Sequence, residues 1–181
     1  MQADSVYPYI VPKEYLQHQL PRDLAKALGH DVYAVLVKEL RGLVGNITAD
    51  DLVALHLSSD AAYSLALENL EKLLKAGLIK AQKFPQGPAG KPFMVVGGHW
   101  DAAAVALLPR FADFARKNLG QDDICLSIPH QGISLVFPNG DTSYLKLVRA
   151  FVKEKEGNDR KPITFELYTF EGANLRPLQV S

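Results

Sequence analysis

Hydrophobic and polar positions divide this chain of 181 residues into short apolar runs separated by turn formers. Near the start, Tyr15, Leu16 and Leu20, and then Leu24, Ala25 and Leu28, fall at helical intervals between Pro8, Pro12 and Pro21. The spacing predicts two short helices in an N-terminal arm over residues 1–30 of a single domain. Pro21 opens the second helix, where its missing N–H is harmless, and Gly29 closes it. The run Val32-Tyr33-Ala34-Val35-Leu36-Val37 is β-branched and aromatic, and predicts a buried strand. Residues 43–47 predict a second extended piece, paired with the first through a turn at Arg41-Gly42.

Thr48 stands three residues before Asp51, a capping-box spacing ahead of a short helix carrying Leu52, Val53 and Leu55. A longer helix starts at Ser58-Ser59-Asp60. Its positions Tyr63, Ala66, Leu67, Leu70, Leu73 and Leu74 keep three-and-four spacing, and Gly77 sits where a left-handed cap belongs. Residues 78–84 and 93–96 predict a hairpin around a Pro- and Gly-dense loop. After Gly97-Gly98, Asp101 is expected to cap one long helix with Ala104, Leu107, Leu108, Phe111 and Ala115 inward, bent at Pro109 and stopped by Gly120.

Strands over 124–128 and 133–137 flank the turn Pro129-His130-Gln131-Gly132. A helix over 142–155 follows with Leu145, Val148, Phe151 and Val152 inward. The alternating segment 163–170 reads as a strand with one wet side. Neighbouring strands joined by short turns, with helices between the pairs, predict an α+β domain: a mainly antiparallel sheet built from hairpins and packed against several amphipathic helices.

Composition narrows the function classes. The chain is 48% hydrophobic and 22% charged, which excludes collagen-like and disordered classes. Twenty Lys and Arg balance twenty Asp and Glu, so the basic face that nucleic-acid binding requires is not expected. The single cysteine, Cys125, excludes an intramolecular disulfide and a multi-thiolate zinc site. An early acid at Asp4, no apolar leader and no apolar run of about 20 residues predict a cytoplasmic protein with no membrane partner. Nothing in the pattern specifies an oligomeric state.

Three segments in order resemble a bacterial family of unknown function, the YtpQ-like uncharacterised proteins. They are Ala66-Leu67-Glu68-Asn69-Leu70-Glu71; Val95-Val96-Gly97-Gly98-His99-Trp100-Asp101-Ala102-Ala103 with Leu107-Leu108-Pro109; and the hairpin 126–137. The similarity spans about residues 32–140, and the stretch 167–178 also fits. At the hairpin turn this chain has His130-Gln131 where the family carries an Arg-Asp pair. The resemblance implies the fold and a bacterial cytoplasmic setting, and no reaction.

The sharpest chemistry lies at Gly98-His99-Trp100-Asp101. A double glycine permits close backbone approach, a helix end offers unpaired N–H groups, and a histidine two residues from a carboxylate can move a proton. The same residue types also satisfy a turn, a cap and a packed indole. His130, with Gln131 beside it, completes the candidate binding set, and two histidines plus a carboxylate are the ligand types of zinc or iron. No His-x-x-x-His or Glu-x-x-His spacing supports a metal, and His18, His30 and His56 are scattered. Gly87-Pro88-Ala89-Gly90-Lys91 lacks the Ser or Thr and the helix of a phosphate loop, so no cofactor is implied. Cys125 reads as a core residue, and Ser127 and Ser134 as facing solvent or neighbours. With no nucleophile, base and orienter at recognisable spacing, the expected function is a non-catalytic binding module for a protein partner. A small hydrolase or ligand sensor around His99, Asp101 and His130 is the alternative.

Overall fold

In the computed structural model, which describes residues 3–18, 24–159 and 161–180, the chain opens with an unforeseen strand, β1 (Val6–Pro12). Prolines disguised it. They are tolerated because β1 is an edge strand of a small antiparallel sheet ordered β1-β3-β2, with β4 also paired to β3. Strand β3 (Val32–Leu40) is its spine, and β4 (Leu43–Asn46) returns through Arg41 and Gly42, both at positive φ, as the sequence implied.

The helix expected over Leu24–Leu28 is instead β2 (Lys26–Gly29). Three successive residues at positive φ, Gly29, His30 and Asp31, turn it back onto β3, and a helix cannot continue through them. Gly29 is required twice over. Its φ is +89°, and a Cβ there would lie 2.0 Å from Cγ of Pro177. The other predicted N-terminal helix is a 3-10 segment, Lys13–His18, and Leu20 and Pro21 lie outside the described residues.

Helices α1 (Ala49–Leu55) and α2 (Ser59–Lys75) cover one face of this sheet, packing Ala62, Tyr63 and Ala66 on Val6, Ala34 and Leu36. The capping box at Thr48 and Asp51 is present, and Gly77 takes φ +72° just past α2. The Tyr63 hydroxyl lies 2.7 Å from the Leu24 carbonyl and 2.6 Å from that of Ala34. The Asn69 amide donates to the carbonyls of Ala3 and Val6. These bonds tie α2 to the sheet beneath it.

The second sheet has six antiparallel strands in the order β10-β9-β7-β8-β6-β5. They are β5 (Lys80–Phe84), β6 (Phe93–Gly97), β7 (Ile124–His130), β8 (Ile133–Pro138), β9 (Leu167–Glu171) and β10 (Asn174–Leu178). Both faces are covered. Met94, Val96, Leu126 and Val136 meet the 3-10 segment Ala102–Leu107 and α3 (Phe111–Leu119). Phe93, Cys125, Leu135 and Phe137 meet α4 (Thr142–Glu156). The expected α+β architecture is therefore observed, with two sheets rather than one.

Two local expectations change. The long helix after Asp101 is broken, not bent: Leu108, just before Pro109, is extended at φ −69° and ψ 130°, the conformation a following proline enforces. The closing strand starts at Leu167, not 163, and its wet side is only partial: Tyr168 and Phe170 are buried on one face, while on the other Leu167 is buried, Thr169 half-buried and Glu171 exposed. Ser127 and Ser134 are fully buried, and Ser134 donates to the Ala103 carbonyl at 3.2 Å. Among the described residues, no helix is long and apolar enough to cross a membrane.

Candidate functional site

Strand β6 ends at Gly97, and Gly98 turns the chain at φ +91°. The next residues fold tightly on themselves. Ala102 N–H donates to the His99 carbonyl at 3.2 Å, and Asp101 N–H to His99 Nδ1 at 3.2 Å. Ala103 N–H then donates to the Gln131 carbonyl at 3.0 Å, fastening this turn to the β7–β8 hairpin. The Gln131 side-chain amide donates to the carbonyl of Ile10 in β1. Five of the six candidate residues thus belong to the junction where the small sheet meets the large one.

Trp100 lies across β1, with ring centroids 5.8 Å from Tyr7 at 87° and 5.8 Å from Tyr9 at 54°. His99 sits beside the indole at 5.2 Å. The residue expected to cap a helix, Asp101, makes no cap bond. Its side chain is fully buried, and neither carboxylate oxygen has a partner among the described residues. Desolvation pushes its pKa well above the ordinary carboxylate value, which favours the protonated form of Asp101. Gln131 Oε1 is likewise buried and unpartnered.

Burial lowers the pKa of His99, with Glu39 opposing, so the imidazole is a neutral acceptor for the Asp101 N–H. Burial also pushes Tyr9 up to about 12, with Tyr15 and Asp101 adding to the rise. Tyr7 rises mainly through burial, then through Glu39, Asp4 and Asp101. Both phenols hold their protons at neutral pH, so these two rings present no phenolate.

His130 faces elsewhere. Its Nδ1 accepts from Gly132 N–H at 3.2 Å, which leaves Nε2 to carry the proton toward Glu156 Oε2 at 3.2 Å. Asp159 lies 3.9 Å from Nδ1. The histidine fastens the hairpin to the end of α4, and the structure gives it no partner in common with His99. No cluster of three or more His, Cys, Asp or Glu able to hold a metal occurs among the described residues. Clefts of about 500, 480 and 400 Å³ open at other places, and none of the three is lined by the candidate residues.

The missed feature is the outward face of the small sheet. Tyr7 and Tyr9 of β1 and Tyr33 of β3 point away from α1 and α2, over a strip of Val11, Val35 and Val37, with Trp100 against them. Tyr15 borders the face and is 42% exposed. The signal was present in the alternation Tyr7, Tyr9, Val11 and Tyr33, Val35, Val37, once β1 is read as a strand despite its prolines. The carboxylate of Glu39, next in the same alternation, has no hydrogen bond or ion pair among the described residues, and neither has that of Asp4. Lys13, whose charge interacts with Tyr33, is already paired with Asp31 at 3.2 Å.

Comparisons of the chain with protein-family models, with curated proteins and with solved structures return no match.

Proposed function

We propose that the chain is a non-catalytic binding module that receives a protein partner on the outward, aromatic face of its small sheet. The observation that carries this reading is a one-sided covering: α1 and α2 pack on one face, while Tyr7, Tyr9, Tyr33 and Trp100 remain only half-buried on the other. Tyrosine and tryptophan supply large contact area at small entropic loss, and so dominate contact energetics. The carboxylates of Glu39 and Asp4, which have no side-chain partner among the described residues, select a cationic partner. An arginine- or lysine-bearing segment would lay its charge over a ring and meet Glu39.

A hydrolase or ligand sensor around His99, Asp101 and His130 draws support from the two unpartnered acceptors, Asp101 and Gln131 Oε1. It draws less than the aromatic face does, since burial favours the protonated form of Asp101 over the base and His130 is committed to Glu156. The YtpQ-like resemblance enters as a proposed kinship with a bacterial cytoplasmic setting.

Trp100 is the only tryptophan, so its emission reports this face directly. Titration with a short arginine-rich peptide is expected to shift that emission at sub-millimolar concentration, and an uncharged analogue is not. Glu39→Gln should weaken the response by about fivefold. No shift at about 5 mM peptide, or a response undiminished in Glu39→Gln and in Tyr9→Ala, would sink the reading.

A further inference from the structure

A cleft of about 400 Å³ runs along the outward side of α4, within the size range of small-ligand sites. The helix buries Tyr144, Leu145, Val148 and Val152. At 3.6 residues per turn, Lys146, Arg149, Ala150 and Lys153 share an opposite stripe about 100° wide. Ala150 has only a methyl group, and it leaves a depression between longer neighbours. The segment before β9, with Phe165 and Glu166, forms the other wall, and Thr164 completes it.

The charges in this cleft do not balance. Arg149 is held by Glu166 and by the Val180 carbonyl, so its charge is met and its position fixed. Lys146 and Lys153 are exposed, and the structure gives neither side-chain ammonium group a hydrogen bond or an ion pair among the described residues. Like charges three and four residues apart on one helix face repel, and a concavity concentrates their field. The other two clefts differ. In one, Lys26 sits 3.8 Å from Asp60 and over the Tyr63 ring, and in the other Lys75 is 2.9 Å from Glu71. Only the α4 cleft, of these three, leaves its lysines unmatched.

We infer that this cleft binds the phosphoryl group of a small phosphate monoester. Such a group carries a charge of about −1.5 to −2 at neutral pH, which matches the two unmatched lysines. Lys146 and Lys153 are about 10 Å apart along the helix axis, a span their stems bridge by converging over Ala150. Arg149, fixed by Glu166, lines the same cleft as a third cation, and Phe165 offers an apolar wall for the body of the ester.

The test uses the intact chain with inorganic phosphate, phenyl phosphate and vesicles of phosphatidic acid, followed by calorimetry and by amide NMR shifts. Phenyl phosphate is expected to bind with Kd below about 1 mM, more tightly than phosphate, with shifts confined to α4 and residues 164–166. The double variant Lys146→Gln, Lys153→Gln should weaken binding at least about tenfold with an unchanged Tm, because both side chains are exposed. Absence of heat and shifts at about 5 mM overturns the inference. So do shifts that map elsewhere, undiminished binding in the double variant, or a response to vesicles alone.

Discussion

The two sheets share one grammar of alternating side chains and end in different states. In the large sheet, the chain leaves β6 for α3 on one face and β8 for α4 on the other, so both faces are roofed. In the small sheet, α1 and α2 follow one another after β4 and lie on the same face. Coverage is therefore decided by where the connecting helices fall, not by the strands. The large sheet concentrates packing energy, and the small sheet carries on its second face rings that stay half-buried among the described residues.

The largest effect should expose that difference. Phe137 is fully buried in the large sheet, stacked 5.6 Å from Phe93 and edge-on 6.1 Å from Phe151. Phe137→Ala removes a ring at the centre of the α4 layer and should lose about 3–5 kcal/mol in a urea melt. Tyr9→Ala on the open face should lose less than half as much, because a half-buried ring already shares its surface with water. Equal losses would mean that both faces are core, and the comparison would fail.

Next comes the junction between the sheets. Burial raises the pKa of Asp101 in the fold, and in the unfolded chain it ionises above about pH 4. Below that value both states hold the proton and burial carries no charge penalty. As pH rises toward the raised folded pKa, the unfolded chain gives up its proton while the fold retains it. Stability then falls by about 1.4 kcal/mol per pH unit. Asp101→Asn removes this dependence, so the variant should gain on the parent steadily from about pH 4 to pH 7 in urea midpoints. A constant offset across that range would show that the carboxylate has a partner.

The contrast between the sheets also explains what the sequence made legible. Turn chemistry read well: Arg41-Gly42, the Thr48 capping box and Gly77 act over a few residues and need no tertiary context. Errors arose where tertiary pairing overrode local spacing. Leu24, Ala25 and Leu28 have helical intervals, yet β3 offers an open edge and Gly29 closes against Pro177, so the segment becomes β2. Pro8 and Pro12 concealed β1, whose edge position tolerates them. At the candidate site the residue types were right for a turn and misleading for chemistry. Asp101 is two residues from His99, but its carboxylate turns inward and only its N–H reaches the imidazole. The direction of a side chain is set by the layers around it, which spacing along the chain does not encode.

The smallest expected effect lies at the covered face of the small sheet, where a second aspartate behaves in the opposite sense. Asp51 bonds Lys38 of β3 at 2.7 Å and the Thr48 backbone N–H at 2.9 Å, which locks α1 to the sheet. Burial pulls its pKa up, but the hydrogen bonds from Lys38 and Thr48 outweigh it and hold the carboxyl below its ordinary value. A depressed folded pKa contributes stability that is present above the unfolded value near pH 4 and lost as pH falls through the folded one. Asp51→Asn should therefore lose about 1 kcal/mol at pH 7, and the gap between variant and parent should close on acidification. For Asp101→Asn the gap closes in the same acidic range but has the reverse sign at neutrality, because one carboxylate is charged and bonded and the other neutral and alone. If the two variants shifted stability in the same direction at pH 7, Asp101 would be an ionised, partnered group. The junction would then regain the base that the enzyme reading needs.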